Sequence, residues 1–94
     1  MRTPLRERVE AGAALLDRKR RSKTWRRKID LKQLNLESCQ DCILGQLYGG
    51  YSVGLDRLER NGEWIWPDEL GFDPAATDHR PLTRAWCEYI EATR

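Results

Sequence analysis

The sequence predicts a mostly α fold: a small orthogonal bundle of about four helices with a Trp-rich irregular loop. Three observations lead there. Apolar residues recur at helical three- and four-residue spacings in four separate segments. Helix-starting and helix-stopping residues bracket those segments. Between the third and the fourth, Pro67, Gly71 and Pro74 break regular structure in a stretch that carries Trp64, Trp66 and Phe72. With 94 residues, the chain is expected to be a single domain, 1–94.

The first helix starts at Thr3, a good N-cap, with Pro4 in the first helical position, where its missing N–H costs nothing. Glu7 places negative charge near the helix start. Leu5, Val9, Gly12, Ala13 and Leu16 form one apolar stripe, and Arg6, Arg8, Glu10 and Asp17 lie mostly off it. The helix is expected to fray near Ser22. Beyond Trp25, Asp30 is read as the cap of a single turn over Leu31–Leu34, ahead of a short strand, because the 31, 34 spacing is helical. Ser38 opens the second helix, with Asp41 as a reciprocal capping partner. Ile43, Leu44, Leu47 and Tyr48 make its broad apolar face, and Gly49-Gly50 ends it. Cys42, Gly45 and Gly49 form a stripe of small residues on the other side, where a second backbone is expected to approach. Ser52 caps the third helix, which buries Tyr51, Leu55 and Leu58 and stops at Asn61-Gly62. Glu63–Trp66 is read as a short extended piece with one side packed and the other open. Leu70 and Phe72 anchor the loop after it. The last helix starts at Asp78 to Pro81 and buries Leu82, Trp86, Tyr89 and Ile90.

Composition narrows the function classes. Apolar residues make up 39% and charged residues 34%, a polar globular balance. The longest apolar run is Ala13–Leu16, so no membrane span is expected. The charged start lacks an apolar signal region, and three cysteines are an odd number, which together imply a reducing cytoplasm. The net charge of +2 hides an asymmetry. Residues 18–28, RKRRSKTWRRK, hold eight bases and no acid, so the rest of the chain carries six more acids than bases. Residues 56–94 alone hold nine acids against five bases.

That strip is the leading candidate site. Arg18, Lys19, Arg20, Arg21, Lys23, Arg26, Arg27 and Lys28 can neutralise phosphates, and Trp25 can stack on a base. The targets it fits are a nucleic-acid backbone or a host protein with an acidic surface. Its arginines lie off the apolar stripes, so they are expected to be dispensable for folding. The opposing reading is a solvated, charged helix end. The tryptophans carry a similar pair of readings: an exposed Trp beside acids suits a protein anchor, but in so small a domain burial is the favoured role.

Cys39-Gln-Asp-Cys42 is the sharpest local motif. Two thiols at a helix start suit zinc or a dithiol couple. A zinc site would need Cys39, Cys42, His79 and Cys87 to converge, and their spacing matches no standard pattern. A redox motif would follow a strand in a βαβ unit, which this sequence lacks. The favoured reading is that both cysteines are buried packing residues, with zinc as the alternative cofactor to none. His79, between Asp78 and Arg80, is read as a surface cap residue. No nucleophile elbow, metal-binding HExxH, phosphate loop or dinucleotide glycine pattern occurs, so no enzyme is expected.

GAALLD (Gly12–Asp17) followed by IDLKQLNLESCQDCILGQLYGGYSVGLDRL (Ile29–Leu58) resembles a group of small uncharacterised proteins of actinobacteria and their bacteriophages. The similarity covers about the first two-thirds, with fainter echoes at Gly71–Asp73 and Leu82–Trp86. SCxxCxLGQLYG is its specific part. Similar members carry Pro-Gly-Trp near Lys23-Thr24-Trp25, where this chain keeps only the Trp. The resemblance implies an origin rather than a mechanism. The expected function is a non-enzymatic binding module, phage or mobile-element encoded, that docks on a host macromolecule through residues 18–28, a Trp surface, or both. The alternative is a zinc- or thiol-dependent regulatory protein.

Overall fold

The computed structural model describes residues 4–20, 24–59, 65–74 and 78–94, and these contain five helices and no strand. They are α1 (Leu5–Lys19), α2 (Trp25–Lys28), α3 (Ile43–Tyr48), α4 (Tyr51–Leu58) and α5 (His79–Thr93). The chain is a small, mostly helical bundle, as the spacings predict. Its radius of gyration of 12.0 Å matches the roughly 12 Å of a fully compacted chain of this length. None of the described helices is long and apolar enough to cross a membrane.

α1 and α5 pack together, and α3 packs against α4. Val9, Gly12, Ala13 and Leu16 are buried as their spacing requires. Leu15 and Arg8 are buried too, so the covered face is wider than the stripe and includes a cation placed off it. Arg8 Nε has no hydrogen-bond partner among the described residues. Pro4 stands at the N-cap rather than in the first turn, and Thr3 lies outside the described residues. The helix stops at Lys19, where Arg20 turns extended, so the fray expected near Ser22 begins earlier.

The middle of the chain departs most from expectation. Asp30 caps its turn as read, accepting from the Lys32 N–H, while the Gln33 N–H donates to the Asp30 carbonyl. Ser38, by contrast, caps a turn and not a helix: its Oγ accepts from the Asp41 N–H, and α3 begins five residues later at Ile43. Cys42 is the true N-cap, its Sγ accepting from the Gly45 N–H at 3.2 Å. Gly49 closes α3 in the left-handed conformation (φ 90°), as predicted. Gly50, not Ser52, caps α4. A β-carbon on Gly45 would come within 2.5 Å of the Cys39 and Gln40 carbonyl groups. The close backbone approach is therefore real, but the partner is the helix's own lead-in and not another helix. The approach between helices sits instead at Gly54, whose β-carbon would meet Leu44 Cβ at 2.7 Å.

Trp86 is the hub. It is fully buried, stacks on Phe72 at 5.9 Å and meets Trp25 and Tyr89 edge-on at 6.3 and 6.4 Å. Its indole N–H donates to the Gly71 carbonyl. Gly71 has φ 72°, and on Gly12 a β-carbon would collide with the Leu70 carbonyl, so both positions need glycine to seat the 65–74 loop against α1. Phe72 anchors that loop as expected. Ile65 faces in and Trp66 faces out. Trp64 and the Asn61-Gly62 stop lie outside the described residues.

Candidate functional site

The basic strip does not form one surface. Arg21 and Lys23 lie outside the described residues. Of the others, Arg18, Arg27 and Lys28 are exposed, and Lys19 and Arg20 are half-buried, with the Arg20 guanidinium 5.3 Å from the Tyr48 ring centre. Trp25 and Arg26 are core residues, which corrects their assignment to a binding face. Trp25 therefore cannot stack on a base.

The cause is Asp17, the residue just before the strip. Its carboxylate accepts from Trp25 Nε1 at 2.8 Å and from both terminal nitrogens of Arg26 at 2.9 and 3.3 Å. Arg26 also donates to Thr93 Oγ1 and the Tyr89 hydroxyl, at 3.0 and 3.2 Å, and its guanidinium lies over the Trp25 and Tyr89 rings. Burial opposes the charge, but the bonds to Asp17 and Tyr89 outweigh it and hold the Arg26 pKa above its ordinary value. One guanidinium thus ties α2 to α1 and to the end of α5. Residues 17 and 26 carry no helical spacing signal, because they lie on different helices, α1 and α2.

The cysteines separate as well. Cys42 is buried, and burial pushes its thiol pKa up despite backbone hydrogen bonds that oppose the shift. Cys39 is exposed, against the expectation that both are packed. Cys87 is half-buried and also raised, by burial and then by Glu91 and Glu88. His79 Nδ1 stands 3.0 Å from Glu37 Oε2. Cys39, Cys42, His79 and Cys87 do not converge: among the described residues no three His, Cys, Asp or Glu side chains are grouped to hold a metal. The thiol-bearing positions therefore offer one helix cap and one exposed sulfur.

One groove escaped the sequence, and an exposed tryptophan was the less favoured of two readings. Lys32, Arg80 and Arg84, scattered along the chain, line one groove. Trp66 is 57% exposed, beside Asp68 and Glu69, so burial as the general role of the tryptophans fails at this position. Compared with protein-family models, curated proteins and solved structures, the chain matches none.

Proposed function

We propose that this protein is a small, non-enzymatic binding module that docks on a nucleic-acid backbone through the cations of residues 18–28 that stay outside the core. The observation that carries the reading is the anchoring of Trp25 and Arg26 to Asp17 near the end of α1, which fixes the short helix that carries the exposed Arg27 and Lys28. Fixed cations lose less freedom on binding than flexible ones. With Trp25 buried, no stacking platform remains at that position, so recognition rests on phosphates and not on bases. The resemblance to proteins of actinobacteria and their phages bears on origin alone, a phage or mobile element.

The test is fluorescence anisotropy with labelled duplex DNA and an RNA hairpin across a salt series. Binding should weaken with salt, and Arg18→Ser/Arg27→Ser/Lys28→Ser should flatten the log–log slope by about 2–3, one unit for each phosphate contact removed. Arg26 is excluded from the variant because its loss would unfold the site. Salt-independent binding, or an unchanged slope in the triple variant, would refute the reading. The exposure of Trp66 beside two carboxylates favours a second reading, an anchor for a host protein. Salt-insensitive capture of a protein partner that Trp66→Ser abolishes would select it.

A further inference from the structure

An open groove of about 520 Å³ runs between the turn at 31–35 and the first half of α5. Small-ligand sites span about 300–1,000 Å³, so a nucleotide-sized guest fits. Lys32, Arg80 and Arg84 line it against one carboxylate, Asp41. Arg80 is committed to Asp78, with contacts of 2.7 and 3.0 Å. Lys32 and Arg84 are exposed, and neither forms an ion pair among the described residues. Asn35 uses its side-chain oxygen to accept from the Glu37 N–H, which leaves its amide N–H₂ to donate. The Thr83 hydroxyl is spent within the protein, donating to the His79 carbonyl and accepting from the Leu36 N–H. Asp78 caps the first turn of α5, so the positive character of the groove comes from side chains and not from the helix end.

We propose that this groove is a phosphate site, in which Lys32 and Arg84 clamp the phosphate of a nucleotide-sized ligand and Asn35 donates to a further oxygen. A guanidinium fork and a point cation on opposite walls suit a multi-oxygen anion, and phosphate offers the acceptors for both. The polar lining does not favour an apolar guest. The site shares no residue with the strip 18–28 and stands or falls separately from it.

Two sources of that phosphate are distinguished by titrating ¹⁵N-labelled protein with ATP and with a short single-stranded oligothymidine. The amides of residues 32–35 and 80–84 should shift with one or both probes. A response to ATP assigns a free nucleotide, and a response to the oligothymidine alone assigns a strand. Lys32→Gln and Arg84→Gln, both at exposed positions, should each weaken binding about tenfold or more, the size of one lost charge-assisted hydrogen bond. Arg18→Ser/Arg27→Ser/Lys28→Ser should leave the same titration unchanged. No shift with either probe at about 5 mM, where even millimolar affinity would register, overturns the proposal. So does binding that survives the Lys32→Gln/Arg84→Gln double variant, or binding that only the strip variant removes.

Discussion

Replacing Asp17 by Ala probes the Arg26 tie most directly. The substitution removes the acceptor for Trp25 Nε1 and for two nitrogens of Arg26, while the guanidinium stays buried with Tyr89 and Thr93 as remaining partners. Removing one partner of a buried pair costs about 3–5 kcal/mol. Side-chain exposure is 6% at Arg26 and 23% at Asp17, so water can partly replace the lost carboxylate. The lower end, about 3 kcal/mol, is therefore expected. For a domain of this size that corresponds to a fall in Tm of roughly 12–24 °C. Arg27→Ala, one residue along and exposed, should stay within about 0.5 kcal/mol of the parent. Urea denaturation followed by circular dichroism at 222 nm measures both. A cycle with Arg26→Met adds a check: the double variant should be more stable than the sum of the singles implies, because no unpaired buried charge remains. An Asp17→Ala protein as stable as Arg27→Ala would mean that Arg26 is solvated, and the tie between α1, α2 and α5 would be void.

The thiols should react in two classes: Cys39 is labelled in the native protein, Cys42 only with denaturant, and Cys42→Ala should cost about 1–2 kcal/mol through loss of its cap to α3. Equal labelling rates for the two in native buffer would contradict this. Asp78 supplies a pH test, because its bonds to Arg80 pull its pKa from 3.8 to about 2 in the folded protein. A lowered folded pKa gives stability that is complete above the unfolded value and is lost as pH falls toward the folded one. Stability should therefore decline between about pH 4 and 2, and Asp78→Asn should decline less in that window; equal acid limbs for the two proteins would remove Asp78 from the account.

The helices at both ends of the chain were legible because their apolar residues recur over roughly two to three turns, long enough for period to decide. Val9, Ala13 and Leu16 on α1, and Leu82, Trp86 and Ile90 on α5, are buried where the pattern puts them. The start of α3 was not legible. Ser38 and Asp41 satisfy a capping pattern, but the same hydrogen bonds close a free turn, and nothing local tells the two apart. Cys42 as a cap was also hidden, since sulfur is a weak acceptor and cysteine is not among the preferred capping residues. At the candidate site, a count of charges could find residues 18–28 but could not divide them. Whether a cation faces water depends on where the nearest acid sits in space, and Asp17 reaches Arg26 only across two packed helices. The groove was invisible for the same reason, with Lys32 and Arg84 more than fifty residues apart in sequence.

The seat of Trp86 binds three positions into one choice. A β-carbon on Gly12 would stand 3.1 Å from the ring, and one on Gly71 would stand 3.3 Å from the indole nitrogen. Each glycine is thus half of a slot, and the indole is the tongue that fills it. Enlarging either glycine presses on the ring by a few tenths of an ångström, and shrinking the ring leaves two bare backbones facing a void. Drift at either glycine is therefore opposed by the backbone and by the ring together. A relative that keeps this loop should carry Gly, Gly and Trp at these positions together, and loss of the Trp alone frees neither glycine, because the Leu70 carbonyl still bars a β-carbon at Gly12 and Gly71 keeps its positive φ. That linked triplet is a more discriminating mark of shared architecture than the density of positive charge, which many unrelated chains can reach.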